Sequence, residues 1–388
     1  MSSRPSAPRA RGSGLEATLG IREEIARGQP VSVQFTLANR ADEELLVLDW
    51  YTPLEGMAGD IFRVERDGEP VPYQGILAKR GVPQPDEYVT IAPGESVSAE
   101  VNLATGYDFS VPGNYTVEYL SPAVSHVVSK EAPKAKRQRD LGPVQIPSNR
   151  VAVRIVGSGE AVEERIAPPP SADEGGPTEE AKAISYDNCS ASEKDIVKSA
   201  DLAAMAKAAF VYAYLKGLSV AKRQTDALYK TWFGAYTATR YAKVLSNWKK
   251  IQDCFEKDIA YNCKGPACKS SWYAYVYAGG KLEVFLCQQF WNAPESGTDT
   301  KYGVLIHEVS HECASTKDHT YGQTNCKNLA QNDPGKAIEN ADNYEYFAEH
   351  YTLPPIGSPH LKLTLLSVAG ALVAEGIRRY FKSRSSGS

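Results

Sequence analysis

The sequence predicts two domains: an N-terminal all-β immunoglobulin-like sandwich, then a mostly α (α+β) domain with a small β-hairpin sheet. Three observations carry this. Up to about Val156, short runs alternate apolar and polar residues, the pattern of half-buried strands. After Cys189 the apolar spacing becomes helical, and all seven cysteines fall between Cys189 and Cys326. Between the two lies a Pro-, Glu- and Gly-rich stretch, residues 157–182, with the composition of an extended linker. A length of 388 residues suits two domains, and a net charge of −4 is too small to suggest a nucleic-acid partner.

Taken in order, residues 1–14 are polar and basic, read as disordered, and lack the apolar stretch of a secretory signal. Residues 15–156 form the sandwich. Val31-Ser-Val-Gln-Phe-Thr-Leu, Val97-Ser-Ala-Glu-Val-Asn-Leu and Tyr115-Thr-Val-Glu-Tyr alternate, with turns at Asp67-Gly68, Pro93-Gly94 and Pro112-Gly113. About seven strands are expected, and nothing in them reads as catalytic. A basic run from Lys130 to Arg139 reads as a solvated loop or as a site for nicking by a basic-specific protease.

In residues 183–352, Ser190-Ala-Ser-Glu193 is a capping box, ahead of a helical stretch from Ile196 to Leu218. A second helix is expected over Tyr236 to Cys254, and a hairpin over Trp272 to Leu286 around Gly279-Gly280. Helices carrying His307 and Asp342 follow. In the tail, residues 353–388, the apolar run Leu361 to Val373 is too short to span a bilayer. With Arg378, Arg379 and Lys382 behind it, the run reads as an amphipathic helix that packs on the protein rather than on lipid.

The chemistry concentrates in His307-Glu308-Val309-Ser310-His311. Four helical residues advance about 400°, so both imidazoles project from one face, one turn apart. That spacing suits one Zn²⁺, with Glu308 beside it to take a proton from an activated water. Asp318, just past the helix, is the natural third ligand, and three ligands with one open position describe a catalytic zinc. The bland alternative is a surface helix that happens to carry two histidines. His319 is a rival ligand, but it adjoins Asp318 and both side chains are not expected to reach one ion. Glu349 and His350 read as surface residues; His126 and His360 show no partners. Asp342 and Glu345 share a helical face, and by spacing alone that face reads as solvated.

Ser315-Thr316-Lys317-Asp318-His319-Thr320-Tyr321-Gly322 resembles the aspzincin (deuterolysin-type) pattern, in which Gly-Thr-x-Asp-x-x-Tyr-Gly follows His-Glu-x-x-His; only the first Gly is replaced, by Ser315. Tyr186-Asp187-Asn188-Cys189-Ser190, Thr231-Trp-Phe-Gly234, Ala274-Tyr-Val-Tyr277, Phe290-Trp-Asn-Ala-Pro294 and Asn340-Ala-Asp-Asn-Tyr-Glu-Tyr-Phe347 are similar to landmarks of its peptidyl-Lys metalloendopeptidase branch. The resemblance covers residues 183–352 and implies a zincin-type metallopeptidase domain holding one Zn²⁺ per chain. It further implies hydrolysis on the N-terminal side of Lys, through a Zn²⁺-activated water with Glu308 as general base. Tyr321 would then steady the oxyanion, against the alternative of a buried core tyrosine. Asp342 and Glu345 would hold the Lys side chain. Cys189–Cys263 and Cys268–Cys287 would pair as in the family. Cys313–Cys326 is the pairing expected among the rest, clamping the Asp318 loop and leaving Cys254 a lone thiol.

In a chain resembling a secreted protease, seven cysteines without a Cys-x-x-Cys pair suggest disulfides made in an oxidising compartment. The β-domain resembles, more loosely, the propeptide region of the same precursors. That implies a zymogen cutting itself at Ala181-Lys182; alternatively the sandwich stays attached as a binding or targeting module. Expected partners are Lys-containing proteins or peptides, with no nucleic acid, no membrane contact by the tail and a monomeric state. The competing functions are a deuterolysin-like protease of broader taste and a non-catalytic surface-binding protein.

Overall fold

A computed structural model describes residues 14–120, 127–129, 146, 148–157 and 184–352. The Lys130–Arg139 run, the linker, the Ala181-Lys182 bond, the tail, His126 and His360 lie outside the described residues. The chain packs as two units. Met1–Gly75 and Pro83–Pro168 make one; Ile76–Val82 and Pro169–Ser388 make the other.

Among its described residues the first unit is all-β, in three sheets. Leu15–Ile21, Ser32–Asn39 and Ser96–Asn102 form one, antiparallel throughout. Its alternation is that of the sequence: Leu15, Ala17 and Leu19 on one strand and Val33, Phe35 and Leu37 on the next are buried, while Glu16, Thr18, Gln34 and Thr36 between them are more exposed. A second sheet runs in the order Glu24–Ala26, Arg150–Val156, Gly113–Tyr119, Phe62–Arg66, Glu69–Pro70. Asp67 and Gly68 both take positive φ in its tight hairpin, where a turn with the handedness of the strands demands it. Val127–Ser129, Leu45–Leu48 and Tyr88–Ile91 form the third. An immunoglobulin-like sandwich is therefore what the alternation encodes.

The second unit sets helices against a five-stranded sheet, ordered Ile184–Asp187, Ile259–Asn262, Glu283–Leu286, Trp272–Tyr277, Ile76–Arg80. The first three strands are parallel; the last two pairings are antiparallel. The expected small sheet thus includes the Trp272–Leu286 hairpin, and its edge strand comes from within the stretch of sequence assigned to the sandwich. Ile76–Arg80 falls in sequence within the stretch assigned to the sandwich, but four of its five residues, Leu77, Ala78, Lys79 and Arg80, are buried in this second unit. Helix Ala191–Gly217 starts at Ser190, which caps it reciprocally with Glu193. It packs on Ala238–Phe255 and on Lys301–Ala314, the helix that carries the two histidines. Trp232, Trp248, Phe233, Tyr344 and Phe347 fill the space beneath Ala341–His350.

Disulfides join Cys189 to Cys263, Cys268 to Cys287 and Cys254 to Cys313; Cys326 is free and buried. Cys313 therefore does not pair with Cys326, and Cys254 is not the lone thiol. The reason is helix packing: Cys254 and Cys313 sit near the C-terminal ends of two helices that lie against each other, with Cα atoms 6.4 Å apart. Cys326 faces inward instead, 3.5 Å from the Asn340 side-chain nitrogen. Among the described residues, no helix is long and apolar enough to cross a membrane.

Candidate active site and metal centre

Thr300 caps the histidine helix, its hydroxyl accepting from the Gly303 amide at 3.0 Å. Gly303 lets that helix approach its neighbour closely, since a Cβ there would lie 2.4 Å from Glu349 Oε1 and 3.1 Å from Glu345 Cγ. At the other end Ser315 takes a left-handed conformation (φ 54, ψ 41), the backbone state that a glycine adopts at least cost. It turns the chain so that Asp318 returns to the imidazoles. The loop is held by Asn340, whose side-chain oxygen accepts from the His319 and Thr320 amides at 2.7 and 3.1 Å and whose nitrogen donates to the Thr320 carbonyl.

The structure brings His307, His311 and Asp318 together. Their Nε2, Nε2 and Oδ1 atoms are separated by 3.1, 3.2 and 3.4 Å, and all three residues are buried. Ligands about 2.0–2.1 Å from a tetrahedral Zn²⁺ lie roughly 3.3 Å apart, so the spacing fits the ion. Asp318 Oδ1 is buried with no hydrogen-bond donor, as a metal-binding oxygen should be. Burial opposes ionisation of Asp318, but the two imidazoles outweigh it and hold its carboxyl well below the usual range. The outer ring nitrogens are also placed. His311 Nδ1 is 2.9 Å from the Thr316 carbonyl, which fixes the tautomer leaving Nε2 free. His307 Nδ1 lies 2.8 Å from Asp342 Oδ1.

His319 is not in this group: its ring faces Glu339, 4.0 Å away, and burial lowers its pKa to about 4. Glu349 is not a free surface residue, because the Thr300 amide and hydroxyl donate to its carboxylate at 2.7 and 2.9 Å. His350 is exposed. Asp342 and Glu345 are fully buried rather than solvated.

What these acids face is Lys79. Its Nζ lies 2.9 Å from Asp342 Oδ1, 2.9 Å from Glu345 Oε2 and 3.0 Å from Asp299 Oδ1, over the ring of Tyr346 at 4.9 Å. Burial works to lower the Lys79 pKa, but the three carboxylates win and keep the ammonium charged. The backbone on either side of Lys79 meets the remaining groups. The Lys79 amide donates to Glu308 Oε1 at 3.1 Å, and the Tyr321 hydroxyl donates to the Ala78 carbonyl at 2.7 Å. Arg80 follows with its guanidinium over Trp272, 5.2 Å from the ring centroid. Burial raises the Glu308 pKa to about 7.

Two site residues were not singled out from sequence. Asp299, with positive φ, hangs just before the cap of the histidine helix, and no periodicity marks it. Lys79 lies 229 residues before its partner Glu308. Its one signal is chemical: Ile76-Leu-Ala-Lys-Arg80 puts two adjacent cations into an apolar strand.

Asp342 thus links a trio suited to grip a divalent ion with groups suited to grip a peptide, the arrangement a metallopeptidase needs. The comparisons narrow the class. The family described as Lysine-specific metallo-endopeptidase matches residues 219–349, and an immunoglobulin-like domain matches residues 18–119. An extracellular protease of Aeromonas hydrophila is 35% identical over 87% of this chain and 92% of its own length. A peptidyl-Lys metalloendopeptidase of Grifola frondosa is 32% identical over 87% and 91%. A solved zinc peptidase from Grifola frondosa is 38% identical, covering 42% of this chain and 96% of that one, at a TM-score of 0.39. The chain belongs to the aspzincin family of zinc metalloendopeptidases.

Proposed function

We propose that the chain is a secreted zinc endopeptidase that cuts on the N-terminal side of Lys, made as a latent precursor. One observation supports this above the others: Lys79 is seated among three carboxylates while the peptide bond before it lies between Tyr321 and Glu308. His307, His311 and Asp318 would hold one zinc, which would polarise the scissile carbonyl and acidify a water. Glu308, buried and with one carboxylate oxygen free of hydrogen bonds, takes the proton from that water. It then hands the proton to the leaving nitrogen, the atom to which its other oxygen is already hydrogen-bonded. Tyr321 donates to the oxygen on which charge develops. Asp342 has two tasks, steadying His307 through Nδ1 and receiving the substrate ammonium. Glu345 shares the second, its Oε2 standing further from His307 Nδ1 at 3.4 Å, and Asp299 has the second alone.

A compact ammonium suits this pocket, because three separate acceptors surround one point charge; Arg's planar fork would match it less well. Latency follows from the same seating, since a strand lying across the cleft keeps other substrates out. The linker bond Ala181-Lys182 has the residue pair the proposed specificity requires, and its hydrolysis would separate the enzyme from the sandwich. Digesting one unfolded protein with activated enzyme, with and without a chelator, tests the reading. New peptides should begin with Lys and should vanish with the chelator. Cuts spread over many residue types would instead support the broader deuterolysin-like activity.

A further inference from the structure

We propose that the bond between Ala78 and Lys79 is itself a self-processing site, cut within the same molecule. The proposal rests on the functional reading above, but it concerns a different bond from the linker.

A strand that merely blocks a protease escapes hydrolysis by running backwards, by setting its carbonyl away from the catalytic groups, or by placing the wrong residue in the specificity pocket. Ile76–Val82 does none of these. It runs antiparallel to Trp272–Tyr277, with Leu77 opposite Val276, Ala78 opposite Tyr275 and Lys79 opposite Ala274. The Ala78 carbonyl accepts from Tyr321, the Lys79 nitrogen donates to Glu308, and the Lys79 ammonium is in the acid pocket. Tyr321, Glu308 and the acid pocket are therefore all matched to a single bond. Holding a reactant in such alignment is worth a large factor in rate.

The step balances with water alone. Water's oxygen bonds to the Ala78 carbonyl carbon, the bond from that carbon to the Lys79 nitrogen breaks, and a proton passes through Glu308 to the nitrogen. The products are a carboxylate at Ala78 and a new amino terminus at Lys79. Both ends stay clamped. On one side, Ile76 and Leu77 remain paired in the sheet; on the other, the Gly81 amide donates to the Ser271 carbonyl at 2.8 Å. Clamped ends can rejoin, so the cut is expected to stop short of completion and to leave intact and nicked chains side by side.

The test uses the full-length zinc-loaded protein, alongside Glu308→Gln and Lys79→Ala, followed by intact mass and N-terminal sequencing over time. A fragment beginning at Lys79 should form at a rate independent of protein concentration over a hundredfold range. It should be absent from both variants. In metal-free protein, Lys79 should also resist an amine-acylating reagent that labels the half-exposed Lys249, a readout that needs no activity. The Lys79→Ala protein, given an added unfolded protein, separates the two readings. If it cuts before Lys while the parent never yields the Lys79 terminus, the self-processing proposal is wrong and the protease reading stands. If neither protein digests anything even after the linker is cleaved and the sandwich removed, both fall. Ready acylation of Lys79, or nicking that rises with protein concentration, also overturns it.

Discussion

Glu345→Gln and Asp299→Asn, compared in a Lys79→Ala background that leaves the pocket vacant, separate the acids that read the substrate from those that run the chemistry. Both acids stand at contact distance from the Lys79 ammonium, 2.9 and 3.0 Å, so distance does not rank them. Exposure does. The Glu345 side chain is 0% exposed and that of Asp299 is 29%. Breaking a fully buried ion pair by removing one partner costs about 3–5 kcal/mol, whereas a solvent-reached pair contributes up to about 1 kcal/mol. At 1.4 kcal/mol per tenfold, Glu345→Gln should lower kcat/KM for a peptide cut before Lys by at least roughly a hundredfold, and Asp299→Asn by about fivefold or less. The assay is kcat/KM on two peptides that differ only in Lys or norleucine after the scissile bond. For norleucine neither substitution should cost more than a few-fold. Equal losses on both peptides would show that Glu345 supports catalysis rather than recognition, and a larger loss from Asp299→Asn would refute the ranking by burial.

Four further outcomes are expected of the same site and fold. Tyr321→Phe should remain folded and zinc-loaded yet lose about 10²–10³ in kcat, measured on the Lys peptide, because it removes one donor to the developing oxyanion. With three disulfides and Cys326 free and buried, a thiol reagent should find one reactive thiol on denaturation without reductant and none in the native protein; alkylated peptides should contain Cys326, not Cys254. Gly303→Ala should lower stability by about 1–3 kcal/mol in a denaturant titration, as the added methyl group meets Glu349 and Thr300. Burial and then the Glu345 carboxylate push the Glu349 pKa up to about 9 from an ordinary 4.5. The folded state therefore keeps a proton that the unfolded chain releases, and stability falls as pH rises between these values. Glu349→Gln should flatten that part of a Tm-versus-pH curve.

The histidine pair was legible because its logic is local: one helical turn sets both imidazoles on one face, and nothing distant can undo that. The alternation of Val31 to Leu37 was legible for the same reason, a period of two against one buried face. Asp342 and Glu345 gave half their message. Spacing put them on a common face, but only packing beneath the Ala341–His350 helix makes that face buried and aims it at an ammonium. The Cys254–Cys313 bond was hidden because it depends on which two helix ends meet, a property of tertiary packing. Ile76–Arg80 was hidden twice over. Its pattern is that of a strand, yet nothing in the pattern says which sheet it joins, and its partners lie more than 190 residues further along the chain.

X-ray absorption at the zinc edge of metal-loaded, full-length protein, with metal content measured on the same sample, tests the central claim most directly. One zinc per chain, bound by two imidazole nitrogens and light oxygen ligands, with the metal lost in Asp318→Ala, is the predicted result. No bound zinc in active protein, a sulfur ligand from Cys326, or a metal site indifferent to Asp318 would contradict it.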